Sequence, residues 1–112
     1  MMQVVFIVLH KTELLQDLLT KLKKAGVSGG TIIDSQGMIS YIQESDESYI
    51  LGSLRLFLEQ ARPDSKTMFF IIKDEQVDLV FETIDKALGG LENHNTGIAF
   101  AMPITRVEGV VK

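Results

Sequence analysis

The chain has no cysteine. That excludes disulfide staples, thiolate metal sites and a cysteine nucleophile. Histidine occurs only twice, as His10 and His94, and neither has a second histidine or paired acid at metal-ligand spacing. There is no excess of positive charge: the 112 residues carry a formal net charge of −4. A general nucleic-acid binder normally carries a basic stripe, so nucleic acid is not an expected partner. No apolar run approaches membrane-spanning length. The N-terminal apolar run is too short for a secretion signal and is interrupted by Lys11 and Glu13. A soluble cytoplasmic protein is the expectation. Nucleotide fingerprints of the Walker or dinucleotide type are missing, as is a Gly-x-Ser-x-Gly elbow. No nucleophile, base and orienting group assemble into an enzyme site, so the expected role is not catalytic.

What is present is an apolar content of 46 %, enough for one packed domain over 1–112. It is arranged as one pattern written twice. Val4, Val5, Phe6, Ile7, Val8 and Leu9 form an apolar run, followed by an amphipathic stretch with Leu14, Leu15, Leu18, Leu19, Leu22 and Ala25 at helical spacing. Gly26 marks its stop, and a strand over 31–35 follows. The second copy starts with a strand over 67–72, then a helical stripe of Val77, Val80, Phe81, Ile84 and Leu88, ended by Gly89 and Gly90. A strand over 97–102 closes it. Thr12 and Asp74 are expected helix caps. Pro103 is expected to begin a turn and 107–111 to form a short final strand.

Two strand–helix–strand halves predict an α+β domain of the ferredoxin-like, duplicated βαβ plan with an antiparallel sheet. An extra short helix is expected near 50–61, ended by Arg62 and Pro63. Residues 38–48 read as an acidic surface loop, with Glu44, Asp46 and Glu47. Residues 3–9 lack alternation and read as a strand buried on both faces. Two helices cover one sheet face only, so the second face needs a cover; the helix at 50–61 offers part of it, self-association is the other route, and a homo-oligomer is expected.

Glycines at the strand–helix junctions permit close phosphate approach but also simply make turns, and spacing alone favours the turns. Three segments carry more. Residues 26–37, Gly-Val-Ser-Gly-Gly-Thr-Ile-Ile-Asp-Ser-Gln-Gly, follow the pattern G-[IV]-[ST]-G-x-T-[VI]-x-x-x-x-G. Residues 73–80, Lys-Asp-Glu-Gln-Val-Asp-Leu-Val, are similar to D-D-Q-V-D-x-V, with Glu75 at the second Asp. Residues 95–100 and 103–107 supply a Gly-led strand and the turn after it. In these segments the chain resembles the PII signal-transduction family, of which it looks like a divergent member.

The resemblance implies a homotrimer with inward-facing sheets. It implies a small effector, such as an adenine nucleotide, in clefts between subunits. It also implies a loop, here around 38–50, that touches a partner transporter or metabolic enzyme. The positions it transfers are Ser28 and Gly29 at the nucleotide base, Gly37 opening the loop, and Gly90, Asn95, Thr96 and Gly97 at the phosphate loop. Arg106 is a further basic candidate. The family's phosphate-loop lysines are absent, and Glu108, Gly109, Val110 and Val111 stand where it carries two arginines. That loss disfavours a triphosphate. It opens an alternative: a ligand with less phosphate charge (AMP or a cyclic dinucleotide), a metal ion in a CutA-like trimer, or a ligand-free scaffold. The family's modifiable loop tyrosine has no clear counterpart in Tyr41 or Tyr49.

Overall fold

The first apolar run forms strand β1 (Met2–Leu9), and its burial alternates along the chain. Val5, Ile7 and Leu9 are buried, whereas Val4, Phe6 and Val8 are only half-buried. The uniform apolarity of the run therefore does not mean burial on both faces within one subunit, contrary to the expectation from sequence. These features come from a computed structural model that describes residues 1–38, 64–93 and 96–110. The expected helix near 50–61, nearly all of the expected loop, His94 and Asn95 lie outside the described residues.

After β1 the chain makes a 3-10 turn over Thr12–Leu14 and enters helix α1 (Leu15–Lys24). Thr12 is thus the first residue of a tighter turn, and no side-chain cap bond forms there. The helix ends in a Schellman motif. Gly26 sits at φ +101°, its N–H donates to the Lys23 carbonyl at 3.1 Å, and the Val27 N–H donates to the Leu22 carbonyl at 3.0 Å. Glycine takes that left-handed conformation without the Cβ penalty, and the motif brings the side chains flanking it, Leu22 and Val27, into the core. Strand β2 (Thr31–Ser35) follows.

Strand β3 (Ser65–Lys73) is longer than its apolar stretch predicts, because polar Ser65 and Lys66 continue the pairing with β2. Helix α2 (Val77–Ala87) is entered through a 3-10 turn over Asp74–Gln76. Asp74 does not cap it. The Gln76 Oε1 accepts from the Lys73 N–H at 3.0 Å, while the Asp74 carboxylate accepts from Gln3 Nε2 at 3.1 Å and lies 3.7 Å from the N-terminal amine. Strand β4 (Gly97–Ile104) runs through Pro103 rather than turning there. An edge strand tolerates this, since a proline lacks only the N–H that an outer edge leaves unused. Residues 107–110 form no strand.

The sheet is antiparallel throughout, in the order β2-β3-β1-β4. With α1 and α2 on one face this is the ferredoxin-like α+β plan. Val5, Ile7, Leu9, Met68, Phe70 and Ile72 meet Leu18, Leu22, Val80, Ile84 and Leu88 in a single core. The register puts Phe69, Phe6 and Phe100 side by side on the other face. Phe6 stacks on Phe100 at 5.1 Å between ring centroids and leans on Phe69 at 5.6 Å. Around them Ile98 and Met102 are about half exposed, at 54 % and 45 %.

Candidate functional site

Ser28 and Gly29 stand where α1 has been stopped by Gly26 and β2 has not yet begun. The turn they form meets the C-terminal tail. Ser28, Gly29, Gly30 and Thr31 line a cleft of about 400 Å³ whose floor is 69–71 of β3 and whose far wall is Gly109 and Val110. A second cleft of about 430 Å³ shares Ser28, Ile71 and Val110 and continues toward Met2, Gly26, Lys73, Glu75 and Gln76. Gly30 is tightly fitted: a Cβ there would come within 3.1 Å of the Phe69 carbonyl oxygen and 3.4 Å of the Phe70 side chain.

The remaining predicted positions are elsewhere. Gly90 ends α2 in the left-handed region at φ +103°, and its N–H donates to the Asp85 carbonyl at 2.9 Å. The Asp85 carboxylate accepts from the Leu91 N–H at 2.8 Å, and Asn93 Nδ2 donates to the Gly89 carbonyl, so the loop is held from inside. Thr96 is fully buried, and its carbonyl accepts from the His10 N–H at 3.0 Å. This leaves His10 as a strand-end residue. The Thr96 Oγ1 has no hydrogen-bond partner among the described residues. A Cβ on Gly97 would stand 2.6 Å from the Val8 carbonyl oxygen, so only glycine fits there. Gly37 follows β2 at the same end of the sheet.

One subunit therefore splits the predicted set in two. Ser28 and Gly29 lie near the Met2 end of β1, while Gly97 pairs with Leu9 at the opposite end. Met2 and Leu9 themselves stand seven strand steps apart, roughly 23 Å at about 3.3 Å per step. No single small ligand on one subunit touches both groups.

Arg106 joins neither group. Its Nη2 and Nε donate to Glu108 Oε2 at 2.7 and 2.9 Å, and both side chains are exposed. Among the described residues lining the two tail clefts the one cation is Lys73, accompanied by Glu75. One lysine beside a glutamate offsets little of the charge that a triphosphate would bring to this lining. Sequence reasoning placed Gly109 and Val110 at the position of the lost arginines. It did not name them, or the β3 residues 69–71, as walls of the cleft. The three adjacent aromatic and aliphatic residues of β3 carried only a core signal.

The two clefts that no predicted residue explains fully are of different kinds. One, of about 600 Å³, lies on the helix side of the 28–30 turn, against Leu19, Leu22, Ile32 and Met68. The other, of about 410 Å³, is polar and lined by Thr12, Asp34, Ser35, Asp64, Ser65 and Lys66. There Ser35 Oγ shares hydrogen bonds with Ser65 Oγ at 2.7 Å and Thr67 Oγ1 at 2.8 Å, and Lys66 pairs with Asp34. Among the described residues no three His, Asp or Glu side chains gather at metal-binding distance, and no helix is long and apolar enough to cross a membrane.

Comparison with known proteins agrees with this fold. A crystal structure of Arabidopsis thaliana PII bound to citrate superposes with a TM-score of 0.64 at 19 % identity, covering 92 % of this chain and 77 % of the other. That likeness concerns the fold. A search of curated protein sequences finds no match. The family model for nitrogen regulatory protein P-II matches residues 1–112, and the chain belongs to that family.

Proposed function

We propose that this protein is a non-enzymatic PII-type regulator. It assembles as a homotrimer, takes a small effector of low charge between subunits, and acts on a partner transporter or enzyme. The observation that carries this reading is the split of the candidate residues between opposite ends of one sheet. Two half-sites at opposite ends of a subunit become one site only where neighbouring copies bring unlike ends together. The row of Phe69, Phe6 and Phe100 supports the same assembly, since an open apolar face of this kind favours covering by another copy. Signalling is assigned to the segment around 38–50, by the resemblance to the family.

The lining of the tail clefts favours the effector's class. A planar, weakly charged group suits the wall of Gly29, Gly30 and Phe69, and Ser28 offers a hydroxyl. A nucleoside monophosphate or a cyclic dinucleotide carries less charge than ATP and suits this lining better. The Arabidopsis relative is described as bound to citrate, a triply charged ion. The present chain, with Arg106 engaged by Glu108, is expected to hold such a polyanion poorly.

The test is a thermal-shift panel of ATP, ADP, AMP, cyclic mono- and dinucleotides and 2-oxoglutarate, with and without magnesium, together with light scattering. A ligand at a hundredfold excess over its Kd stabilises by about 2.7 kcal/mol. AMP or a cyclic dinucleotide is expected to raise the melting temperature more than ATP does, on a particle of three chains. A monomer at micromolar concentration, or a larger response to ATP than to any less charged nucleotide, overturns the reading.

A further inference from the structure

The register of β2 leaves one large residue without its expected cover. Ile32 pairs with Met68, so both project to the helix side of the sheet. Met68 is buried there at 4 % exposure, yet Ile32 is 44 % exposed. The helix layer stops short of the β2 edge, and the gap is the cleft of about 600 Å³ noted above. Its floor is Leu22, Val27 and Met68, and its rim is Leu19, Ile32 and the 28–30 turn. This volume falls within the range of small-molecule sites, roughly 300–1,000 Å³, and the lining is mostly apolar as such sites are.

Its charge is of one sign. Among the described lining residues Lys23 is the one charged side chain. Its neighbour Lys21 is tied to Asp17 at 2.8 Å, whereas Lys23 forms no ion pair with a described residue. The helix end beside it makes little demand on that charge, because the Schellman motif already supplies donors to the Leu22 and Lys23 carbonyls. Along the same rim the backbone N–H groups of Gly29 and Gly30 donate to no other described residue.

We propose that this cleft is a second ligand site for a small amphipathic monoanion, an apolar chain or ring bearing a single carboxylate. The apolar body lies on Leu22, Ile32 and Met68, and the carboxylate reaches Lys23 and the 28–30 backbone. One cation on an apolar wall selects against polyanions, which would bury uncompensated charge. The site is on the opposite side of the 28–30 turn from the tail clefts. The inference stands on this cleft alone and does not depend on the effector proposed above.

The probe is 4-phenylbutyrate, with its neutral amide as the isosteric control, titrated into the full chain by calorimetry and by amide NMR shifts. The acid is expected to bind more tightly than the amide by about two- to fivefold, the worth of one exposed charge pair. Lys23→Gln removes that preference while leaving the amide's affinity unchanged. Ile32→Asp weakens both by about tenfold or more, since the apolar contact is lost. Shifts are expected at Leu22, Ile32 and Met68, with AMP failing to compete. Equal binding of acid and amide to the unaltered chain, a preference that survives Lys23→Gln, shifts centred on Phe6 and Phe100, or no saturable binding overturns the proposal.

Discussion

The two faces of the sheet are nearly equal in apolar character and unequal in burial. On one, Val5, Ile7, Met68, Phe70 and Ile72 are sealed under α1 and α2. On the other, Val4, Phe6 and Val8 alternate with them along the same strand but remain half-buried. A soluble subunit with one polar sheet face reads as alternating apolar and polar residues; β1 does not. The difference teaches that the uniform run in β1 faces two surfaces, one sealed by α1 and α2 and one left half-buried among the described residues.

The largest expected effect breaks the covered face. Ile7 is fully buried at the centre of the core. Ile7→Ala should lose about 2–5 kcal/mol of unfolding free energy, the cost of the transfer term plus the cavity. Urea denaturation of the purified variant measures it. A loss below 1 kcal/mol would mean that the helices do not seal this face in solution, and the contrast between faces would vanish.

A smaller effect sharpens the contrast from within the buried part. Thr96 Oγ1 is a buried polar atom with no hydrogen-bond partner among the described residues. An unsatisfied hydroxyl of this kind costs about 1–3 kcal/mol. Thr96→Val keeps the shape and removes that cost, so the free protein should gain about 1 kcal/mol in the same denaturation experiment. A loss of stability instead would show that the hydroxyl has a partner in the assembled protein. The turn at Thr96 would then belong to a contact between copies.

How much of this was legible in the sequence follows the same division. The periodic stripes of Leu18 and Leu22 and of Val80 and Ile84 gave both helices, because a helix face has a period that apolar residues can print. The βαβ duplication gave the antiparallel ferredoxin-like plan. The ends were less visible. Thr12 and Asp74 have the chemistry of caps, but 3-10 turns precede both helices, and Asp74 is drawn instead to Gln3 and the N-terminal amine. Pro103 looked like a turn because the sequence does not say which strand lies at an edge. For the candidate site, Ser28 and Gly29 were singled out by their pattern. Gly109 and Val110, the far wall of their cleft, lie far along the chain from them, and only the fold brings the two together.

The open face is tested by Phe100→Ser. Phe100 is 42 % exposed in the subunit, so its loss from an isolated chain should cost only about 1 kcal/mol beyond its stacking on Phe6. In an assembly that buries this face the same change acts on association. The variant is expected to fold, to show a smaller particle by light scattering, and to lose the concentration dependence of its melting temperature. An unchanged particle size would mean that the Phe row is not the surface that copies share.

The smallest effect belongs to the outer side of α2, remote from both faces. Lys86 donates to Glu82 at 2.8 Å across one helical turn. The hydrogen bond and the charge of Lys86 hold the Glu82 carboxyl below its ordinary 4.5, and Glu82 raises Lys86 above its ordinary 10.5. A depressed carboxylate contributes stability above its unfolded pKa and loses it as pH falls through the folded value. A raised amine contributes below its unfolded pKa and loses it as pH rises through the folded one. Glu82→Gln should therefore lower stability by a small, constant amount between about pH 5 and pH 10, and the gap should close on either side. Because both groups are exposed, high salt should erase it. A gap that persisted in high salt would mean that this helix surface is covered in the assembled protein, and the sheet would then have a buried surface on each side of its helix layer.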